Sequence, residues 1–229
     1  MINLYNIDCM EFMKDKPDNY YDLAIVDPPY GINIGGSGNI GGSANIGGSA
    51  VVAPRNYGVK KWDENIPDQK YFDELFRVSK NQIIWGGNYY TLPSTNSWII
   101  WDKKEQNGWD DTFSDGEMAW NSFEMKLKIF RHLWMGALRK KTHVSEKDRI
   151  HPTQKPVALY EWLLNRYAKR GDKILDTHGG SMSSAIACHN LGFDLDICEL
   201  DKEYFEQAKE RFERHVRNTD MAGSDIDLF

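Results

Sequence analysis

The residues with the clearest chemical potential form the run Asp27-Pro28-Pro29-Tyr30. They follow a short apolar run, Leu23 to Val26, which predicts a buried β-strand that ends at a breaker. In open α/β sheets, ligands bind at the carboxyl ends of the strands. Each proline fixes φ and lacks an N–H, so we expect the Pro28 carbonyl to be free and rigidly oriented. A carboxylate, a carbonyl and an aromatic ring together suit the binding of an exocyclic amino group on a planar base.

A second informative pattern lies in the last third of the chain. A predicted strand ends at Asp176, a turn containing Gly180 and Ser181 follows, and a helix and another strand then lead to Glu199. This layout is typical of nucleotide-binding βαβ units, in which the glycine turn lets the backbone approach the ligand and the later acid reaches ribose hydroxyls. The spacing alone does not separate NAD from S-adenosylmethionine.

Alternating strands and helices position both patterns. Strands are predicted over residues 2–7, 23–26, 81–85, 97–101, 118–120, 123–130, 173–176 and 194–198, and helices over 10–14, 67–79, 157–167, from after 184 to about 190, and 202–216. The first two strands are joined by a short helix and each is followed by an acid, so we expect them to be neighbours in a parallel sheet. We expect the tail after Asn218 to fray.

Length and composition favour one globular domain. The chain has 229 residues, enough for a full core. It shows no basic and apolar leader and no apolar stretch of membrane-spanning length, so we expect no membrane association. Its three cysteines, Cys9, Cys188 and Cys198, lack Cys-x-x-Cys spacing, which argues against disulfides or zinc and favours the cytoplasm. The histidines also lack metal-ligand spacing with cysteines or acids, so no metal is predicted.

The charge distribution is uneven. The formal net charge is −6, but residues 126–155 carry nine Lys and Arg against two acids. A basic segment on an acidic body is typical of a DNA-facing strip, although a solvated surface loop has the same composition. The polar, aromatic and basic stretch 105–149 has no clear period, so we assign it as the insertion that recognises the target.

Residues 33–50 repeat Asn-Ile-Gly-Gly-Ser-Gly/Ala three times with a period of six. Gly and Ser at this density bury too little surface to order the chain, so we expect a mobile loop. Its position directly after Tyr30 makes it a candidate lid, although neutral expansion of a tolerant loop explains the repeat equally simply.

The order of these motifs resembles the β-class amino DNA methyltransferases. The matching elements are Asp8-Cys9, Asp27-Pro28-Pro29-Tyr30, a basic region, His151-Pro-Thr-Gln-Lys-Pro156, the Asp176 to Ser181 turn and Glu199. The resemblance implies an α/β, Rossmann-like methyltransferase fold with a mostly parallel sheet, helices on both faces and a circularly permuted motif order, in which the catalytic half comes first. The implied reaction is methyl transfer from S-adenosylmethionine to adenine N6 in DNA.

The resemblance also implies roles for individual residues. Asp27, Pro28, Pro29 and Tyr30 would be catalytic, and Asp27 would also border the cofactor. The other implied cofactor contacts are Glu199 for the ribose, Asp8 and Cys9 for the adenine, Thr153 and Lys155 for the carboxylate, and Asp176, Gly180 and Ser181 for the methionine portion. In the family the glycine turn usually has Phe and Gly where this chain has His178 and Met182, and a β-carbon at Met182 would crowd the backbone.

Several alternatives stay open at this point. In the family, Asp at the position of Asp27 is more usual for adenine and Ser for cytosine, but there are exceptions, so cytosine N4 stays a second target. Methylation of RNA or of protein amide groups is another alternative, although the motif order and the basic strip disfavour protein, and a non-catalytic DNA-binding relative also fits the motifs. Double-stranded DNA is the implied partner, and the resemblance is compatible with a homodimer and with a cognate restriction endonuclease.

Overall fold

The structure is a computed structural model that describes residues 1–34, 39–40, 45–46, 49–50, 55–56, 58–105, 114–135, 138–147 and 149–224. The chain divides into two compact units, one formed by Met1–Lys16 and Lys141–Phe229 and the other by Pro17–Lys140. We call them the terminal unit and the central unit.

Helices and strands follow one another along the chain, with runs of consecutive strands in the central unit. The strands are β1 (Ile2–Tyr5), β2 (Leu23–Val26), β3 (Asn39–Ile40), β4 (Asn45–Ile46), β5 (Ser49–Ala50), β6 (Arg55–Asn56), β7 (Gln82–Trp85), β8 (Trp98–Asp102), β9 (Gly116–Asn121), β10 (Lys128–Arg131), β11 (Trp134–Met135), β12 (Leu138–Arg139), β13 (Lys173–Asp176) and β14 (Asp194–Cys198). The helices are α1 (Cys9–Lys14), α2 (Gln69–Val78), α3 (Val157–Tyr167), α4 (Ser183–Leu191) and α5 (Lys202–Ser224), with 3₁₀ turns at Gly87–Tyr89 and Val144–Glu146.

The terminal unit contains three parallel strands in the order β1-β14-β13. Helix α3 packs on α4, which also contacts β14 and α5. Helix α4 begins after Met182 and ends at Gly192, whose φ of +73° is the left-handed conformation that ends many helices. Ile174, Leu175, Leu195 and Ile197 are buried on the strands, so β13 and β14 form the centre of this unit's core.

The central unit contains five strands in the order β2-β7-β9-β8-β10. Strands β2 and β7 are parallel, as are β8 and β10, whereas β9 runs antiparallel to both of its neighbours. All four residues of β2 and of β7 are buried. Such near-continuous apolar strands are typical of parallel sheets that are covered on both sides. The predicted α/β class with mostly parallel strands is therefore confirmed.

Three local predictions were wrong. Strand β1 pairs with β14 along its whole length, so β1 and β2 are not neighbours, because long-range register rather than chain order decides the pairing. The strand predicted over 123–130 covers only Lys128–Arg131, because the Asn121 side chain accepts the backbone N–H of Phe123 and forms a turn. Helix α5 continues to Ser224 instead of fraying after Asn218.

The segment 105–149 contributes β9 and β10 to the strands of the central unit, as well as the short antiparallel pair β11 and β12. Residues 106–113, 136–137 and 148 lie outside the described part. The role of this segment in target recognition stays a prediction.

In the 33–50 repeat β4 pairs with β5, and β3 pairs with β6, which follows the repeat; both pairs are antiparallel. Most of the repeat lies outside the described residues, so the lid remains a prediction. None of the helices in the described part combines the length and apolar character needed to cross a bilayer.

Candidate active site

The Tyr30 hydroxyl anchors the geometry of the Asp27–Tyr30 run. It donates a hydrogen bond of 2.7 Å to Oδ1 of Asp27. Burial of its hydroxyl end, together with the charges of Asp27 and Glu117, holds the pKa of Tyr30 well above its ordinary value. The hydroxyl therefore stays protonated near neutral pH and serves as a donor, which fixes the ring beside the carboxylate.

A distant carboxylate holds the backbone of this run. Asp63 is 2% exposed, and its Oδ1 accepts the N–H groups of Tyr30 at 2.7 Å and Gly31 at 3.0 Å. Its Oδ2 accepts the N–H of Ile34 at 3.0 Å. A buried carboxylate that accepts three backbone donors fixes the exit of the chain from β2. Sequence reasoning missed Asp63, and the only signal available was the acidic pair Asp63-Glu64 after Trp62.

The Pro28 carbonyl is engaged, which corrects the expectation that it is free. The hydroxyl of Tyr90 donates to the oxygen of Pro28 at 2.7 Å and also lies 3.0 Å from the oxygen of Pro29. The expectation failed because the lack of an N–H in proline does not determine which side chains donate to its carbonyl. A carbonyl oxygen has two lone pairs, so Pro28 retains the capacity for one further donor.

Glycine and tyrosine residues after β7 shape the space around the Tyr30 ring. Gly86 has φ +69°, and a β-carbon there would lie 2.3 Å from Cε1 of Tyr30, so only glycine fits. The ring of Tyr89 stacks on Tyr30 with centroids 5.0 Å apart and planes 14° apart. Trp85 and Trp101 are buried, whereas Tyr89 is 44% exposed.

An ion pair completes the surroundings of the tyrosine. Oε2 of Glu117 lies 3.4 Å from the Tyr30 hydroxyl, and the other carboxylate oxygen of Glu117 binds the Lys103 ammonium. Neither residue could be singled out from the sequence, because the two side chains meet only through the pairing of β8 with β9.

In the terminal unit, the carboxyl ends of three parallel strands gather the predicted cofactor residues. The Glu199 N–H donates to the Tyr5 carbonyl at 3.0 Å, which aligns the ends of β1 and β14. The Gly179 N–H donates to the Cys198 carbonyl at 2.7 Å, which brings the turn after β13 to the same edge. Asp8-Cys9, the glycine turn and Glu199 therefore lie at one edge, as the sequence predicts for a nucleotide site.

Glu199 links two parts of that edge. Its carboxylate accepts the N–H of Gly180 at 2.7 Å and that of Asp201 at 2.8 Å. Burial raises the pKa of Glu199. Gly180 has φ +49°, and the His151 ring lies 3.7 Å from where its β-carbon would be. Glu199 therefore stabilises the turn, and its contact with a cofactor stays a prediction.

Asp8 and Cys9 begin helix α1. The Asp8 carboxylate accepts the N–H groups of Met10 at 2.8 Å and Glu11 at 3.3 Å, as an N-cap does. Burial, with a smaller contribution from Asp8, raises the pKa of the Cys9 thiol to about 12, so it stays protonated. Cys9, Cys188 and Cys198 are all free thiols.

Asp176 is 1% exposed and serves the turn itself. Its Oδ1 accepts the His178 N–H at 3.0 Å and its Oδ2 accepts the Ser184 hydroxyl at 2.6 Å. Burial lowers the pKa of His178 to about 4, so this ring is neutral near pH 7. Asp176 is thus placed to position the turn.

The segment that contains Thr153 and Lys155 lies beside the same turn. The Thr153 N–H and hydroxyl lie 3.3 and 3.1 Å from Nδ1 of His151. The Lys155 carbonyl accepts the Ser183 hydroxyl at 2.8 Å. Lys155 is only 4% exposed, so it is not part of an exposed basic strip, which corrects that expectation.

Met182 carries the strain that its place in the turn predicts. It adopts φ +55° and ψ +34°, the left-handed conformation, and its side chain is fully buried. A non-glycine residue there costs about 1–2 kcal/mol. Burial of the side chain offsets this cost, since burying a Met contributes roughly 1.5–3 kcal/mol.

Sequence reasoning also missed the buried arginine behind the turn. Arg211 on α5 is 2% exposed and donates to the carbonyls of Ser181 at 2.5 Å and Ser145 at 2.8 Å. Glu146, fully buried, accepts the N–H of Val157 at 2.7 Å and exerts the main charge effect on Arg211. Only the tertiary packing of α5 reveals this network.

The basic strip is partly paired. Arg131 lies 3.5 Å from the Asp102 carboxylate, and Lys140 lies 3.8 Å from that of Glu105. The strip also begins in the central unit and ends in the terminal unit. Its role in contacting DNA remains a prediction. Among the described residues, no cluster of three or more His, Cys, Asp or Glu side chains has the arrangement of a cation site.

Comparison with known proteins gives the family. A family model described as DNA methylase (N6_N4_Mtase) matches residues 90–210, more than half of the chain. The chain is 27% identical over 252 residues to the type II methyltransferase M.HpaI of Haemophilus parainfluenzae, covering 91% of this chain and 73% of that protein. The chain therefore belongs to the DNA methylase family, and the predicted resemblance to amino DNA methyltransferases is confirmed.

Solved structures share the fold. The M1.HpyAVI–SAM complex matches with a TM-score of 0.55 and 22% identity, covering 92% of this chain and 100% of that chain. The PvuII DNA methyltransferase, described as cytosine-N4-specific, matches with a TM-score of 0.55 and 13% identity, covering 92% and 86%. At these identities the likeness establishes the methyltransferase fold.

Proposed function

We propose that this DNA methylase transfers a methyl group from S-adenosylmethionine to the exocyclic N6 of an adenine that is flipped out of DNA. The observation that carries the proposal is the arrangement after β2, where the Asp27 carboxylate, the Pro28 carbonyl and the Tyr30 ring lie together. The family resemblance associates Asp at the first position with adenine. Membership of the DNA methylase family supplies the substrate class.

Two acceptors prepare the amino group. The Asp27 carboxylate and the remaining lone pair of the Pro28 carbonyl accept its two N–H bonds, which draws the nitrogen toward sp³ geometry and localises its lone pair. Tyr90 holds the Pro28 carbonyl in place at 2.7 Å. Alignment of this kind can lower a barrier by roughly 7–11 kcal/mol. No covalent intermediate with the protein is needed.

The aromatic ring of Tyr30 offers a stacking platform for the base. Flipping the base costs a few kcal/mol, and stacking on an aromatic ring returns about 1–3 kcal/mol. The Tyr89 ring stacks on Tyr30 with centroids 5.0 Å apart, which supports the assignment of Tyr30 as a stacking surface. Asp63 and Gly86 keep this ring in position.

The terminal unit has the features of a cofactor cradle. When bound, S-adenosylmethionine supplies an electrophilic methyl group on a sulfonium centre. We assign Glu199 to the ribose, Asp8 and Cys9 to the adenine, Thr153 and Lys155 to the carboxylate, and Gly180 and Ser181 to the methionine portion. Gly179 and Gly180 carry no side chain, which supports a close approach of the methionine portion to the backbone of the turn. Asp176 acts by holding the turn.

Nucleoside mass spectrometry tests the proposal. Purified protein, methyl-labelled S-adenosylmethionine and unmethylated genomic DNA are incubated, and the DNA is digested to nucleosides. Labelled N6-methyladenine is the expected product. Labelled N4-methylcytosine would keep the mechanism and correct the base. Absence of label in DNA would overturn the proposal, and a parallel incubation with RNA together with calorimetric titration of the cofactor would then distinguish an RNA methyltransferase from a non-catalytic relative.

Two partners implied by the resemblance stay predictions. A homodimer is tested by light scattering of the purified protein at micromolar concentration. A cognate restriction endonuclease is tested by whether DNA methylated by this protein resists a nuclease encoded in the same genome.

A further inference from the structure

The Lys103–Glu117 ion pair lies beside Tyr30, and none of the roles assigned above explains it. The role that we infer for it rests on the proposed function. Lys103 directly follows β8, and Glu117 lies on β9 opposite Trp101. The side chains are 19% and 21% exposed. An ion pair that is largely withdrawn from water costs desolvation energy, so its net contribution to stability is small. Its position next to the Tyr30 hydroxyl suggests a role other than stability.

Strand pairing fixes the position of this pair. The Lys103 N–H donates to the Asp115 carbonyl at 2.9 Å, which continues the β8–β9 ladder past its end. The Lys103 ammonium also lies 5.0 Å from the Trp101 ring centre. The Gly86 N–H donates to the Met118 carbonyl at 2.8 Å. The backbone next to Glu117 is therefore hydrogen-bonded to the glycine against which the Tyr30 ring packs. Glu117 is therefore built into the same frame as Tyr30.

One hydroxyl proton faces two carboxylates. The Tyr30 oxygen lies 2.7 Å from Oδ1 of Asp27 and 3.4 Å from Oε2 of Glu117. A phenol has a single O–H, so it can donate fully to one of them at a time. Because the distance to Asp27 is shorter, Asp27 is the acceptor of the Tyr30 proton in this structure. The same Asp27 carboxylate must accept the target amino group during methyl transfer.

We propose that Glu117 is a positioning residue that takes over the Tyr30 hydroxyl when Asp27 engages the target amine. The hydroxyl rotates about its C–O bond, its proton stays on the tyrosine oxygen, and no bond to hydrogen is broken. Oδ1 of Asp27 then no longer accepts the tyrosine proton while the carboxylate receives the amine, and the buried hydroxyl keeps an acceptor. Lys103 holds the Glu117 carboxylate in its place on the far side.

The alternative is a purely structural ion pair that joins β8 and β9. The two roles differ in one respect. Loss of a structural pair should lower kcat equally whether or not residue 30 carries a hydroxyl. Loss of an acceptor for that hydroxyl should lower kcat only when the hydroxyl is present. A double-mutant cycle between Tyr30 and Glu117 therefore separates them.

The kinetic test compares methyl transfer by Glu117→Ala in the wild-type and Tyr30→Phe backgrounds. In the wild-type background we expect kcat to fall about tenfold, the effect of roughly one hydrogen bond, with KM for DNA little changed. In the Tyr30→Phe background, Glu117→Ala should lower kcat by less than about twofold. In the wild-type background, Glu117→Gln, which keeps an acceptor oxygen, should retain most of the rate that Glu117→Ala loses. Equal losses in both backgrounds would overturn the proposal.

Glu74→Ala is the matched control. Glu74 is also a partly exposed glutamate in an ion pair, with Arg77 at 2.8 Å, and it lies on α2. It contacts none of the residues assigned to catalysis in the structure described here. Its substitution should leave kcat unchanged in both backgrounds, which excludes a general effect of losing an ion pair from the central unit.

A second test does not depend on turnover. Tyrosine labelled with ¹³C at Cζ reports the hydrogen bonding of each hydroxyl by NMR, and Tyr30→Phe identifies the Tyr30 signal. In the Asp27→Ala variant the Tyr30 hydroxyl should donate to Glu117, so adding Glu117→Gln should shift the Cζ resonance of Tyr30. When Asp27 is present, Glu117→Gln should shift that resonance far less. An unmoved signal in the Asp27→Ala background would overturn the proposal, even if the protein transferred no methyl group and the proposed function failed.

Discussion

The ring of Tyr30 occupies the place where a side chain on Gly86 would begin. A β-carbon on Gly86 would lie 2.3 Å from Cε1 of Tyr30, about 1 Å inside ordinary van der Waals contact. The residue after β7 therefore sets the position of the ring that is proposed to stack on the target base.

Gly86→Ala should displace that ring and lower kcat about a hundredfold, because a misplacement of roughly 1 Å in a catalytic group has an effect of that size. Gly58→Ala is the control, since Gly58 has a similar φ of +74° but no atom within 4 Å of its missing β-carbon. Both variants should lose about 1–2 kcal/mol of stability from the left-handed backbone. Equal activity of the two, measured by methyl incorporation at saturating substrates, would contradict the role of Gly86.

Asp63→Ala should loosen the exit from β2. The change leaves three backbone N–H groups without their acceptor, so we expect the free energy of unfolding to fall by about 3 kcal/mol and kcat to fall with it. Asp68→Ala removes a carboxylate that caps α2 through one N–H and should cost only about 1 kcal/mol without changing kcat. Chemical denaturation and initial rates check both values. If Asp63→Ala behaved like Asp68→Ala, the anchoring role would be wrong.

Arg211→Met should weaken the cofactor half of the site. It removes the donors to the Ser181 and Ser145 carbonyls and leaves Glu146 without the buried charge beside it, so stability should fall by about 3 kcal/mol. The turn should relax, and the affinity for S-adenosylmethionine measured by calorimetry should fall at least about tenfold. Arg217→Met, at an exposed position on the same helix, is the control and should change neither quantity.

His151 should make stability sensitive to acid. Burial, with Arg149 and Lys155, lowers its pKa to about 3, whereas an unfolded histidine titrates near 6.5. Between these values the unfolded state binds more protons, so the free energy of unfolding falls as the pH decreases below 6.5, by up to about 1.4 kcal/mol per pH unit. His151→Asn should remove this contribution. Denaturation at pH 7, 6 and 5 checks the difference in slope, and parallel slopes would contradict it.

The elements predicted most accurately are those that local sequence determines. Helix α3 and strands β13 and β14 have the predicted bounds, because apolar periodicity and breakers at both ends act within a few residues. The βαβ pattern correctly placed the glycine turn and Glu199 after neighbouring parallel strands, whereas Asp8 joined them only through the family resemblance, because chain order put β1 beside β2. That a nucleotide binds at this edge stays a prediction.

The supporting residues were not predictable, because they act across long separations. Asp63 lies 33 positions from Tyr30 and Glu117 lies 87 positions from it. Glu117 reaches the site only because β9 pairs antiparallel between β7 and β8, an arrangement that chain order does not imply. Tyr90 reaches the Pro28 carbonyl from 62 positions away. Local propensity carries no information about such contacts.

The most direct test of the account compares Asp27→Ala with the wild type in two measurements. Single-turnover transfer of labelled methyl to DNA should fall by about a hundredfold to a thousandfold or more, as expected when a group that stabilises the reacting centre is lost. The dissociation constant for S-adenosylmethionine, measured by calorimetry, should stay within about threefold. Asp22→Ala, which removes a carboxylate paired with Lys80, should change neither. Equal loss of transfer and of cofactor binding in Asp27→Ala would mean that Asp27 holds the cofactor or the fold and does not prepare the amine.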